Sequence, residues 1–268
     1  DSSTSAVPCG GIVRAEAPSD EIALRGAAGG YVGYSEGGQI IGETEECAAI
    51  RIRSVYGYEY AGGFTGFAKA SETLGAGNVS LLGGLITVSN LADILEIVYP
   101  IQTNTAVYGP LQKLDVDTWN SWVEGVGSFG AYGNKILTEQ IDSQEEMDAF
   151  IAENSYGYQI AAGRSEYEQG AYTSGGGTAG GYIGAMRSGK ITDGHTDQVR
   201  SVTAMSSAGG FAGEMTAEGI ATLGSVGLLG INVINLDSLL GVARTLVPIV
   251  KGSTAAGETS GISVQATG

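Results

Sequence analysis

The chain has 268 residues, of which 43% are hydrophobic and 45 are glycine, and its 29 Asp and Glu against 13 Lys and Arg leave a net charge of −16. That much apolar material can fill a core, so disorder is excluded as the main state. A surface this acidic repels nucleic acid and anionic lipid, which removes both from the expected partners.

The chain opens on Asp1-Ser2-Ser3-Thr4-Ser5, and residues 1–20 hold no apolar run of the signal-peptide kind, so we expect a processed segment whose residues 1–27 form an N-terminal cap. A hexapeptide then begins to recur. Ala28-Gly29-Gly30-Tyr31-Val32-Gly33 returns as Ala61-Gly62-Gly63-Phe64-Thr65-Gly66, as Ala179-Gly180-Gly181-Tyr182-Ile183-Gly184 and as Ala208-Gly209-Gly210-Phe211-Ala212-Gly213. Self-similarity of this kind marks a repeat architecture, in which each copy buries its apolar face only by stacking on its neighbours. Flanking residues extend the match. Ile40 and Ile191 follow the first and third copies at the same distance, and Arg53-Ser54-Val55 precedes Ala61 as Arg200-Ser201-Val202 precedes Ala208.

Three units follow from these spacings: 28–66, a worn copy at 126–170, and 179–213. The worn copy rests on Tyr156-Gly157-Tyr158 with Ala161-Ala162-Gly163, an echo of Tyr56-Gly57-Tyr58 with Ala61-Gly62-Gly63. Residues 67–125 read as an insert and 214–260 as an insert with the C-terminal cap. Asn90 and Asn235 are expected to cap helices that bury Leu95, Val98, Leu240 and Val247 and stop near Pro100 and Pro248. Within 223–250 the charged Asp237 and Arg244 argue for a buried insert over a bilayer span, so no direct membrane insertion is expected. Asp142 or Ser143 should cap a further helix over 144–154, with Met147, Phe150 and Ile151 at helical spacing. The units themselves, short apolar runs punctuated by glycine with only 5 prolines in the chain, read as stacked strands. The expected fold is mainly β: a parallel β-helix, or β-solenoid, built from internal repeats with short α-helical inserts.

Several stretches invite a chemical reading. Asp115, Asp117 and Asn120 form an oxygen-rich cluster that could ligate calcium, although the glycine and distal glutamate of a calcium loop are missing. Trp119 and Trp122 could stack on a sugar or form a helical pair covering core. Gly125 to Gly130 fits a dinucleotide fingerprint by letters but lacks its strand–helix setting. Gly184 to Lys190 matches the start of a phosphate loop, with Ile191 where a hydroxyl should hold magnesium. His195, the sole histidine, lies in a turn-like stretch and reads as an exposed loop residue. The acids show no paired spacing suited to general acid and base. No cofactor is therefore expected, beyond the calcium candidate.

The pattern small-Gly-Gly-apolar-apolar-Gly followed by Gly-x-Ile, carried best by 28–40 and 179–191, is similar to the GLUG-type repeats of bacterial surface proteins and adhesins. The resemblance implies a parallel β-helix on an exported, cell-surface protein. Its function would be that of a non-catalytic structural or adhesive module, whose partners are a glycan or protein on a host or cell surface, or neighbouring copies of itself. The competing implication is a β-helical carbohydrate-active enzyme, a lyase or hydrolase. In an exported protein, Cys9 and Cys47 suggest one disulfide pinning the cap to the first unit, worth about 3–4 kcal/mol in the chain-entropy account.

Overall fold

Small residues and glycines set where this chain bends, and the computed structural model describes the outcome over residues 11–15, 26–71, 100–126, 131–132, 135–136, 141–154, 157–163, 177–217, 247–258 and 260–267. Strand β1 (Gly11–Ala15) leads to a first tier of β2 (Ala27–Gly29), β3 (Val32–Glu36), β4 (Gln39–Ile41), β5 (Cys47–Ala49) and β6 (Ile52–Gly57). The second tier holds β7 (Tyr60–Gly62), β8 (Thr65–Lys69) and β9 (Ile101–Val107). After helix α1 (Val116–Val126), the hairpin strands β10 (Ala131–Tyr132) and β11 (Lys135–Ile136), and helix α2 (Gln144–Asn154), that tier closes with β12 (Tyr158–Ala162). The third is β13 (Thr178–Gly180), β14 (Ile183–Met186) and the long β15 (Lys190–Ala204). The fourth is β16 (Ser207–Gly209), β17 (Ala212–Met215), β18 (Ile249–Lys251), β19 (Thr254–Gly257) and β20 (Ser263–Ala266).

The tiers stack in register. One sheet takes β2, β7, β13 and β16, a second takes β3, β8, β14 and β17, and a ten-stranded sheet takes β1 with the remainder of each tier. Every ladder between tiers is parallel, and antiparallel pairing among the described residues is confined to β10–β11 and a bridge from Glu258 to Gly261. The hexapeptides align residue for residue: Ala28, Ala61, Ala179 and Ala208 are successive partners. Ser54 and Val55 meet Ser201 and Val202 through Gln159 and Ile160, as the flanking match predicted. The chain is thus mainly β with parallel sheets, as the repeats led us to expect.

The unit boundaries need correction. Residues 126–170 hold the end of α1, the hairpin, α2 and β12, and only β12 joins the parallel sheets. The Tyr156–Gly163 echo is out of register, because Ala161 and Ala162 lie beside Tyr56 and Gly57 rather than beside Ala61 and Gly62. Residues 67–125 and 214–260 are likewise more than inserts, since β9, β18 and β19 belong to the ten-stranded sheet. The helices expected from Asn90 and Asn235 lie outside the described residues. Helix α2 falls on 144–154 as predicted, with the Ser143 hydroxyl accepting from Glu146 N–H at its start.

An aromatic ladder runs through the core, with Tyr31, Phe64, Tyr182 and Phe211 stacked at centroid spacings of 4.7, 5.2 and 4.8 Å. Those spacings match the rise between paired strands. Around the ladder lie Ile52, Val55, Ile160, Ile191 and Val202, all buried. Sharp corners inside the ten-stranded sheet are turned by left-handed residues: Asn104, Asp193 and Gly252 at one column (φ 53°, 51° and 60°), Arg51 and Gln198 at the next (φ 57° and 61°). Asn and Asp tolerate that conformation better than most side chains, and the Asn104 amide also donates to Gly42 O at 3.1 Å.

Candidate functional site

The core contains a polar chain between the second and third tiers. Gln102 Nε2 donates to Thr65 Oγ1 at 2.8 Å, Tyr182 O–H donates to Gln102 Oε1 at 2.8 Å, and Thr105 Oγ1 lies 2.5 Å from the same phenol oxygen. Tyr158 O–H donates to Gly181 O at 2.9 Å. Burial pushes both phenols above their ordinary range, so they stay neutral and serve as internal ties rather than as proton donors to a substrate. Neither has any exposed surface.

Outside the core, acids face bases. Glu36 pairs with Lys69 at 3.7 Å and Glu214 with Arg187 at 2.7 Å, each across adjacent tiers, and Glu258 lies 3.5 Å from Arg200. A further cluster was invisible in the sequence because Glu46 and Asp197 lie far along the chain from Tyr108, Gln112 and Lys113. Tyr108 O–H donates to Glu46 Oε1 at 2.6 Å, Lys113 Nζ stands 3.1 Å from the same carboxylate oxygen and 4.5 Å above the Tyr108 ring. The neighbouring carboxylate holds the Lys113 ammonium above its usual pKa. Gln112 Nε2 donates to Asp197 Oδ2 at 2.5 Å. Together they fasten the segment leading into α1 onto the first and third tiers, and none is left facing another acid in the way an acid–base pair would require.

The residues singled out from sequence that are described have separate partners. Asp115 caps α1, its two carboxylate oxygens accepting from Thr118 N–H at 2.7 Å and Thr118 O–H at 2.8 Å, and these bonds pull its pKa down. Asn120 clamps the backbone of Ile141 in both directions, at 2.7 and 2.9 Å. Asp115 and Asn120 are thus engaged with separate partners, and Asp117 lies exposed in the first turn of α1. Among the described residues, no group of three or more His, Cys, Asp and Glu could hold a metal ion. Trp119 is buried with Leu111, Leu114 and Met147, its ring 5.2 Å from Phe150. The sugar-platform reading of Trp119 is therefore corrected to helical core; the Trp122 side chain lies outside the description.

His195 sits on β15 beside Ala106 and Thr254, its Nδ1 3.0 Å from Thr254 Oγ1. It is a strand residue and not the loop histidine expected, because the left-handed corner at Asp193 lets the strand continue. The phosphate-loop lookalike is spent on packing: Arg187 N–H donates to Ala68 O and Lys190 N–H to Pro100 O, so these amides are unavailable to cradle an anion. Of the dinucleotide lookalike, Gly125 and Val126 end a helix where the fingerprint needs the end of a strand, and 127–130 lie outside the description. Cys47 carries a free, half-buried thiol; Cys9 lies outside the described residues. Among those residues no helix is long and apolar enough to cross a membrane.

A scan against protein-family models, a search of curated proteins and a search of solved structures each found no match.

Proposed function

We propose that the three parallel sheets are the faces of a β-solenoid, and that the chain works as a non-catalytic structural or adhesive module on the outside of a bacterial cell, as its GLUG-like repeats suggest. The observation that carries this reading is the in-register stacking of the hexapeptides, with their aromatic ladder, through all four tiers. The Gln102–Tyr182 chain and the hexapeptide glycines hold tiers together, and Glu36, Glu46, Glu214 and Glu258 pair with bases. The partners expected are a glycan or protein on a host or cell surface. In the extracellular setting Cys9 and Cys47 would be joined.

Screening the purified chain against polysaccharides and peptidoglycan fragments, with detection of products as well as binding, tests the reading. Binding without turnover is the expected result. Turnover that survives repurification and is abolished by replacing one acid would establish the carbohydrate-active alternative instead.

A further inference from the structure

Six large apolar side chains are exposed among the described residues, and all of them lie in the outermost layers of the stack: Ile12, Tyr31, Ile41 and Ile50 at one end, Met215 and Val264 at the other. Among the described residues the same ends present unpaired strand edges, since β2 and β3 close two sheets on one side and β16 and β17 close them on the other. Unpaired edges of this kind are templates for further strands, and none of the strands at either end contains a proline to blunt it.

The two ends also fit each other by register. Carrying the columns one tier beyond the fourth sets Ala28 of a neighbouring chain under Ala208, Tyr31 under Phe211 and Ile40 under Val250, with no like charges opposed. Gly210 sharpens the match. A Cβ at Gly30, Gly63 or Gly181 would strike the carbonyl of the corresponding glycine one tier on, at 2.2, 2.2 and 1.9 Å, whereas at Gly210 the nearest atom is a side-chain carbon of Ile262 at 3.4 Å. Inside one chain, position 210 has room for a side chain; under a further tier it would have none.

We infer that copies of this chain stack head to tail, the fourth tier of one against the first tier of the next, extending the same ladders across the junction. The inference rests on the β-solenoid reading of the columns. One strand must give way, because β1 lies over β6 where the neighbour's β20 would sit. The two strands are register equivalents: Val13 and Ala15 flank Arg14 on β1 as Val264 and Ala266 flank Gln265 on β20. All four positions of β20 are exposed, so β1 of one copy replaces β20 of the other between β15 and the incoming β6. A contact between unlike surfaces that repeats by a rise along the stack cannot close into a ring and generates open filaments.

Sedimentation of the intact chain at rising concentration is the test. The wild type should form a ladder of dimers, trimers and longer species. Gly210→Ala should keep the wild-type circular dichroism and melting profile yet associate at least about tenfold more weakly. Tyr31→Lys, which places a charge on the opposite end, should weaken association as strongly with native circular dichroism, although its melting point falls because the stack on Phe64 is lost. An equimolar mixture of the two variants retains one intact end on each chain and should yield heterodimers that grow no further, an outcome misfolding cannot produce. A wild type that stays monomeric with native circular dichroism, or a Gly210→Ala chain that associates as well as wild type, overturns the stacking. Either result leaves the module reading standing, which only turnover would remove.

Discussion

The three glycines of each hexapeptide do different jobs. A Cβ on the first would meet the carbonyl three residues on within its own bend, at 2.0 Å for Gly29, 1.9 Å for Gly62, 2.0 Å for Gly180 and 1.9 Å for Gly209. The second faces the following tier. The third faces the preceding one: a Cβ on Gly66 would lie 2.5 Å from Gly33 O, and one on Gly184 would lie 2.4 Å from Gly66 O. Gly180→Ala is expected to cost more than about 3 kcal/mol, because the obstacle is backbone that cannot move aside. Gly11→Ala, where nothing lies within 4 Å, should change stability by less than about 0.5 kcal/mol. Urea unfolding midpoints at an unchanged slope measure both. The recurrence of these glycines was legible in the sequence. Their division of labour was not, since it depends on which tier follows which.

Among the elements, the pair of helices between β9 and β12 has a small core of its own, with Trp119 and Met147 buried against Leu111 and Leu114 apart from the main cluster. Trp119→Ala should destabilise this unit by about 3–5 kcal/mol. Because the tiers stack without it, amide exchange should accelerate over residues 116–154 while β13–β15 keep their protection. Acceleration spread evenly over both regions would show that the helices and tiers unfold as one. Helix α2 was readable from its cap and its apolar spacing; α1 was not distinguished from a sugar platform, because two tryptophans three residues apart suit either. Strand β15 was obscured by Thr192-Asp193-Gly194, which reads as a turn and is used as a corner within a continuing strand. The worn copy at 126–170 misled because shared letters do not carry register.

At the scale of the whole molecule, Tyr158 and Tyr182 couple stability to alkaline pH. Their folded pKa values lie above the unfolded value near 10, so the unfolded chain loses protons first as pH rises. Stability is unaffected by them below about pH 10 and falls above it, by up to about 1.4 kcal/mol per pH unit for each and about 2.7 for both. Urea midpoints taken between about pH 9 and 11 should show this loss, and Tyr182→Phe should lessen the slope; an unchanged slope would mean that Tyr182 ionises in the folded state. Parallel ladders have a mechanical corollary as well. Hydrogen bonds between tiers point along the stack, and β1 and β20 lie at its opposite ends, so a pull on the chain's two ends loads the rungs of one tier before those of the next. Peeling the third tier, residues 178–204, would convert a rise of about 4.8 Å into roughly 90 Å of extended chain. Under tension the molecule would therefore yield in instalments, an extensible tether rather than a rigid post.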